Sequence, residues 1–181
     1  MILRFLFYIG LQVLVLKEIH LSGSNQNFIF ILIYPVALLT LPFRMPQFFI
    51  ILIAFIVGFI VDLFYMSPGV HAGACLWMVL LRPLMFRILE PKNGYQLDMS
   101  PTISDLGIIW FAKYASTLLL VFFLSYFILQ VFTFVYIGEI LLKTILSFFV
   151  STIIIFLLQL FYSFKSNWVK WRINESCAIK F

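Results

Sequence analysis

Charge is what this chain has least of. Charged residues fill 10% of its 181 positions, where soluble domains carry about 25%. That scarcity excludes an ordinary water-soluble domain, since too few polar side chains exist to cover a core. The longest polar stretch, Glu90 to Asp105, covers 16 residues and is too short to build a separate soluble domain. The two cysteines, Cys75 in an apolar stretch and Cys177 in a basic tail, make no disulfide framework and are expected to be far apart and reduced. The two histidines, His20 and His71, are too few to ligate a metal with the acids present. No GxSxG, HExxH, CxxC or phosphate-binding glycine loop occurs, so no catalytic constellation and no cofactor are implied.

What is there is apolar: 64% of residues are hydrophobic and 19% aromatic. This composition points to an all-α membrane protein with one transmembrane domain over 1–181. Six transmembrane helices are expected at approximately 3–20, 27–43, 47–66, 69–89, 106–132 and 139–164, followed by a basic tail over 165–181. The second is short and carries Pro35 and Pro42, so a kink or an early stop is expected. The fourth is interrupted by Arg82-Pro83, where Pro83 cannot donate to the carbonyl of Val79. The fifth is too long for one straight span and is expected to tilt or turn near Phe134.

The net charge of +5 would suggest nucleic acid in a soluble protein; here the basic residues flank apolar spans, and membrane orientation explains them. With the N-terminus in the cytoplasm, Arg4, Arg44, Arg82, Arg87, Lys92, Lys113, Lys165, Lys170, Arg172 and Lys180 fall on or near the cytoplasmic side, and Lys17 and Lys143 outside. Ten against two favours the cytoplasmic membrane with both termini inside. Trp168 and Trp171, interleaved with Lys165, Lys170 and Arg172, suit an anchor at the lipid interface. The N-terminal run after Arg4 and the small residues Ser22-Gly23-Ser24 also resemble a cleavable signal, but an uncleaved first span keeps the even count that the basic tail requires. Glu139 and Lys143, spaced i, i+4, read as a helix-surface pair.

Polar chemistry concentrates in "GFIVDLFYMSPGVHAGA", residues 58–74. Ala54, Gly58 and Asp62 recur every four residues and share one helix face, where small residues let another helix approach. Ser67 reads as an N-cap with Pro68 at the first helical position and Gly69 following. A short hairpin would return His71 toward Asp62, and a hydrogen bond between them would satisfy both. From His71, the positions Cys75, Met78 and Arg82 follow at 4, 3 and 4 spacing, one stripe of that helix. Asp62 and His71 could form a proton or ligand site, since intramembrane ionisable groups often do. A hairpin clasp at a partner-binding edge is the preferred alternative, because both lie near the interface where polar groups are tolerated. Arg82, beside Pro83, is expected either to be buried against protein or to reach the inner interface along its stem.

The stretch "GFIVDLFYMSPGVHAGACLWMVLLRP" resembles the signature of the MreD family, the rod shape-determining membrane proteins. The family pattern is a glycine, an aspartate three or four residues on, and a small-Pro/Leu-Gly-x-His-Ala turn opening the next span; Gly58, Asp62, Pro68, Gly69, His71 and Ala72 occupy those positions. Ser67-Pro68 stands where a Pro-Leu pair is common. "RPLMFRILEPKNGYQ" is similar to the versions found in Bacteroidota, and the short N-terminal span ending in "LQVLVLKEIHL" also fits the family resemblance. The resemblance covers most of the chain but is distinctive only over 54–95; elsewhere it is mainly hydropathy. It implies a non-enzymatic scaffold of the cell-elongation complex that binds an MreC-like partner. Through that partner it connects MreB to the polymerase RodA and its transpeptidase, supporting lateral peptidoglycan synthesis. The family's six-span architecture is similar to that of the substrate-binding subunits of energy-coupling-factor transporters. A rival reading follows, a small-molecule-binding subunit of a transporter. Against it, the outer loops are short and poor in hydrogen-bonding groups; for it, Asp62 and His71 lie on the outer side.

Overall fold

The computed structural model describes Tyr8, Gly10, Gln12, residues 30–91, Gly94, Tyr95, 99–131 and 137–178, the last with side chains at 137, 138 and 140–161. Among these residues the chain is all-helical, without strands. Six helices can be delimited: α1 (Pro35–Leu39), α2 (Gln47–Tyr65), α3 (Val70–Ile88), α4 (Ile103–Leu106), α5 (Ile108–Val131) and α6 (Ile137–Ala178).

The fold is inside-out in polarity. Phe48, Phe49, Leu52, Phe55, Phe59, Leu63 and Phe64 of α2 are exposed, as are Leu141, Ile145, Phe149, Ile153 and Leu157 along α6. Gln12, Asp62, His71, Arg82, Ser147, Ser151 and Gln159 are buried. An apolar shell of this extent would be untenable in water and is what a lipid-facing surface requires.

Among the described residues, three helices are long and apolar enough to cross a membrane: α2, α5 and the Ile140–Phe161 part of α6. Of the six spans expected, three are therefore shown as helices of this kind. The run expected at 3–20 lies outside the described residues apart from Tyr8, Gly10 and Gln12. α3 is as long as α2, but His71, Arg82 and Arg87 dilute its hydropathy. The largest departure is at 27–43. Its described part is non-helical over 30–33 and then forms only the five-residue α1, with Pro35 at its start. This broken segment is deeply enclosed, since Leu32, Ile33, Tyr34, Val36, Leu38 and Leu39 are all at most 2% exposed.

The helices wrap that segment. α2 and α3 form an antiparallel hairpin, and Gly58 sets how closely they cross. A Cβ built on Gly58 would lie 2.4 Å from the Ala72 Cα, so only glycine permits the contact. α5 runs back along α3, and α6 closes the bundle against α5. At the end near Ile88, an aromatic cluster pins the chain after α3. Tyr95 stacks on Phe43 at 4.7 Å, Trp110 and Tyr114 stack at 5.0 Å, and the Trp110 indole N–H donates to the Leu89 carbonyl at 2.7 Å. α5 is a single 24-residue helix up to Val131, and Phe134 lies outside the described residues. α6 continues without a break to Ala178, through the region read as a tail.

Candidate functional site

Asp62 sits at the C-terminal end of α2, one turn before the chain reverses. The reversal uses two left-handed residues, Met66 (φ 52°) and Gly69 (φ 86°), and Pro68 is exposed between them. Gly69, not Ser67, is the N-cap of α3, and the helix starts at Val70. The first amides of α3 have no partner within their own helix. Asp62 supplies it from outside. Its Oδ1 accepts from the His71 N–H at 2.9 Å and the Ser67 hydroxyl at 3.1 Å. Its Oδ2 accepts from the Ala72 N–H at 3.0 Å and the Gly69 N–H at 3.1 Å. A carboxylate at a helix N-terminus is favoured both by hydrogen bonding and by the helix dipole. Asp62 thus caps a helix that it does not belong to, and its own helix is held to α3 through the His71 and Ala72 amides and the Gly69 N-cap.

The sequence reading joined Asp62 to the His71 ring. The bond instead goes to the His71 amide, and the ring turns the other way. Its Nδ1 lies 3.0 Å from the Tyr34 hydroxyl, which also accepts from the Cys75 thiol at 3.6 Å. The rings of Tyr126 and Tyr65 stand 4.8 and 5.1 Å from the imidazole, centre to centre. Cys75 is a buried, free thiol. No group of three or more potential metal ligands occurs among the described residues.

Arg82 is the other end of the same stripe, about 16 Å along α3 at 1.5 Å per residue. It is 1% exposed, so it does not snorkel. Its Nε donates to the Tyr114 hydroxyl at 2.9 Å, its Nη2 donates to the Leu41 carbonyl, and its guanidinium lies 4.9 Å from the centre of the Phe86 ring. Tyr114 in turn donates to the Leu39 carbonyl at 3.1 Å. The cation is satisfied by neutral acceptors and a π face at the end of α1, where carbonyls lack helical partners. Pro83 leaves the Val79 carbonyl without its helical donor, and the Gln47 side-chain amide of α2 donates to it at 2.8 Å.

The stripe His71, Cys75, Met78 and Arg82 is buried throughout, and its two ends grip the broken segment at Tyr34 and Leu41. Ala54 and Gly58 lie on the buried face of α2, with Asp62, as their spacing implied. Sequence reasoning missed three residues that complete the arrangement. Ser147 accepts from the Phe30 N–H at 3.0 Å; Ser151 accepts from the Leu32 N–H at 3.2 Å and donates to the Phe30 carbonyl at 3.4 Å. Gln12 accepts from the Ile33 N–H at 2.7 Å and donates to the Ile31 carbonyl at 3.1 Å and the Tyr65 hydroxyl at 2.8 Å. The backbone groups of Phe30 and Leu32 thus point to α6 and those of Ile31 and Ile33 to Gln12, the alternation of an extended chain. The available signal was a serine pair at i, i+4 in an apolar run and a lone glutamine in another. His20 lies outside the described residues, as do the side chains of Glu139, Trp168, Trp171 and Cys177.

Compared with protein-family models, curated proteins and solved structures, the chain matches none.

Proposed function

We propose that this chain is an integral membrane scaffold of the MreD type, with six crossings and both termini in the cytoplasm. It binds an MreC-like membrane protein and, through it, serves the complex that links MreB to RodA and its transpeptidase. The observation that carries the reading is the use made of Asp62 and Arg82, the buried carboxylate and the buried guanidinium among the described residues. Asp62 accepts four hydrogen bonds from the α2–α3 turn and the start of α3, and Arg82 donates to a phenol and a carbonyl. Both hold backbone in place, which is what a rigid binding platform needs and what a titrating relay would disturb. A transporter subunit would need Asp62 turned toward a ligand, and its oxygens face backbone amides and Ser67.

The crossings missing from the three apolar helices come, on this reading, from α3, from the broken segment shielded by its neighbours, and from the N-terminal run. Buried non-helical backbone is tolerated at membrane depth when protein surrounds it. Reporter fusions after Phe181 and within Glu90–Asp105 are expected to report cytoplasm, and a periplasmic signal at either position would overturn the topology. The functional test is affinity purification of the tagged protein from native membranes with the MreC-like protein as the readout. Recovery that falls when Asp62 is replaced, at matched membrane levels, supports the scaffold; no recovery of such a partner from intact membranes refutes it.

A further inference from the structure

Two cations interrupt surfaces that otherwise face hydrocarbon. On α5, Ile109, Lys113, Thr117 and Leu120 recur at 4, 4 and 3 spacing, and all four are exposed. On α3, Trp77, Leu80, Leu84 and Arg87 recur at 3, 4 and 3 spacing and are exposed as well. α5 is among the helices apolar enough to cross a membrane. Lys113 stands about 7.5 Å from its start, at 1.5 Å per residue. The packing puts both cations at one depth. The Phe86 ring, next to Arg87 in sequence, stacks on Trp110 and on Tyr114 at 6.4 and 5.3 Å between centres, and those two residues bracket Lys113. The Trp110 indole in turn is tied to the Leu89 carbonyl at the end of α3. Among the described residues no carboxylate pairs with either cation. Asp105 accepts from the Ser100 N–H at 3.2 Å and the Thr102 hydroxyl at 3.3 Å, and Glu90 is exposed past the end of α3.

We propose that the end of α3 and the start of α5 form a site for the phosphate of an anionic phospholipid, held jointly by Lys113 and Arg87. A cation on a lipid-facing stripe is costly unless its stem carries it to the interface, where the charge meets a counter-ion. The counter-ion available along the bilayer surface is the headgroup phosphate. Arg87 adds a planar fork that matches phosphate oxygens. An anionic lipid suits two cations better than a zwitterionic one, whose own ammonium competes for the same phosphate. Free phosphate does not fit, because Ile109 and Leu120 flank Lys113 on the same stripe and surround it with acyl chains. The Trp110 ring level with the cations suits this depth, since indoles gather at the headgroup boundary. The proposal rests on α3 crossing the bilayer beside α5, as read above, and on no protein partner.

The test is native mass spectrometry of the full-length protein in detergent, titrated with dioleoyl phosphatidylglycerol and, separately, with dioleoyl phosphatidylcholine. The first phosphatidylglycerol is expected to bind more tightly than the first phosphatidylcholine. Lys113→Gln and Arg87→Gln should each weaken it about fivefold, the effect of one basic residue near an anionic surface, with phosphatidylcholine binding unchanged. Both side chains are exposed, so the variants should elute from size exclusion as the wild type does. Lys113→Arg keeps the charge and should bind as the wild type. Lys165→Gln removes a charge elsewhere in the chain and should leave the affinity nearly unchanged; a loss equal to that of Lys113→Gln would overturn the site and leave net charge as the cause. Equal affinity of the two lipids for the wild type would overturn the inference and make an acidic side chain of a neighbouring protein the counter-charge. Displacement of the lipid by inorganic phosphate would overturn the lipid assignment, and a loss with Lys113→Gln but not with Arg87→Gln would overturn the shared site. Reporter fusions read the topology separately, so its failure and the failure of lipid binding are told apart.

Discussion

Replacing Gln47 with leucine keeps the side chain close in size and removes the amide that serves the Val79 carbonyl across 2.8 Å. Val79 is buried, and Pro83 offers no N–H, so the carbonyl would be left without either donor. A stranded buried acceptor costs about 1–3 kcal/mol in water-soluble proteins. Hydrogen bonds between helices in lipid average about 0.6 kcal/mol and reach about 1.7. The two ranges overlap near 1 kcal/mol, which is the expected loss for Gln47→Leu. The reasoning becomes testable through Pro83→Ala, which restores the missing donor at the exposed face of α3 without opening a cavity. In that background Gln47→Leu should cost only a few tenths of a kcal/mol, giving a coupling of about 0.5–1 kcal/mol between residues on different helices. The assay is reversible unfolding of all four proteins in mixed micelles with increasing denaturing detergent. Equal losses in both backgrounds would refute the view that Gln47 stands in for the amide that Pro83 lacks.

Asp62→Asn retains one acceptor oxygen but turns an NH2 toward two donors that now find an acceptor, the Gly69 and Ala72 amides or the Ser67 hydroxyl and the His71 amide. Thermal stability in detergent should therefore fall for Asn nearly as far as for Ala, by about 1–3 kcal/mol; a stable Asn variant would mean the cap contributes little. Gly58→Ala forces apart backbones that would otherwise be 2.4 Å from the new Cβ, so folded yield by size-exclusion chromatography should drop several-fold, and an unchanged yield would refute the close crossing. Arg82→Leu strands the Leu41 carbonyl and removes the donor to the Tyr114 hydroxyl, so folded yield should fall; an unchanged yield would place the stabilising role elsewhere. Ser147→Ala with Ser151→Ala removes the acceptors of two amides, and hydrogen exchange at Phe30 and Leu32 should accelerate while exchange within α2 stays unchanged.

The helical fold and the polar stripe were legible because both depend on spacing within one element. The 4, 3, 4 interval from His71 to Arg82 holds whatever packs against it, and so does the small face of Ala54, Gly58 and Asp62. The broken segment was not legible. A buried extended stretch and a buried helix have the same hydropathy, and Pro35 and Pro42 announce an interruption without saying what replaces the helix. What decides it is the presence of Ser147 and Ser151, 117 and 119 residues away from the amides they serve. Asp62 illustrates a second limit. Sequence can bring a carboxylate to a hairpin, but it does not distinguish a side-chain partner from the amides of the same residue. Arg82 could have snorkelled; the carbonyl of Leu41 and the phenol of Tyr114 make burial the lower-energy choice.

The dependence of Phe30 and Leu32 on α6 also sets an order of events during synthesis. At about 5–20 residues per second, the serines leave the ribosome roughly 6–24 seconds after the amides they will serve. Through that interval Gln12, which precedes the segment in the chain, is available for the Ile31 and Ile33 edge, while the Phe30 and Leu32 edge has no native acceptor. Hydrocarbon offers none either. The nascent chain must therefore keep that stretch beside water or inside the insertion machinery until its last long helix arrives. Closing the bundle is then a late, C-terminal event, and a message truncated before Ser147 would yield a chain that the membrane cannot accept and quality control would remove.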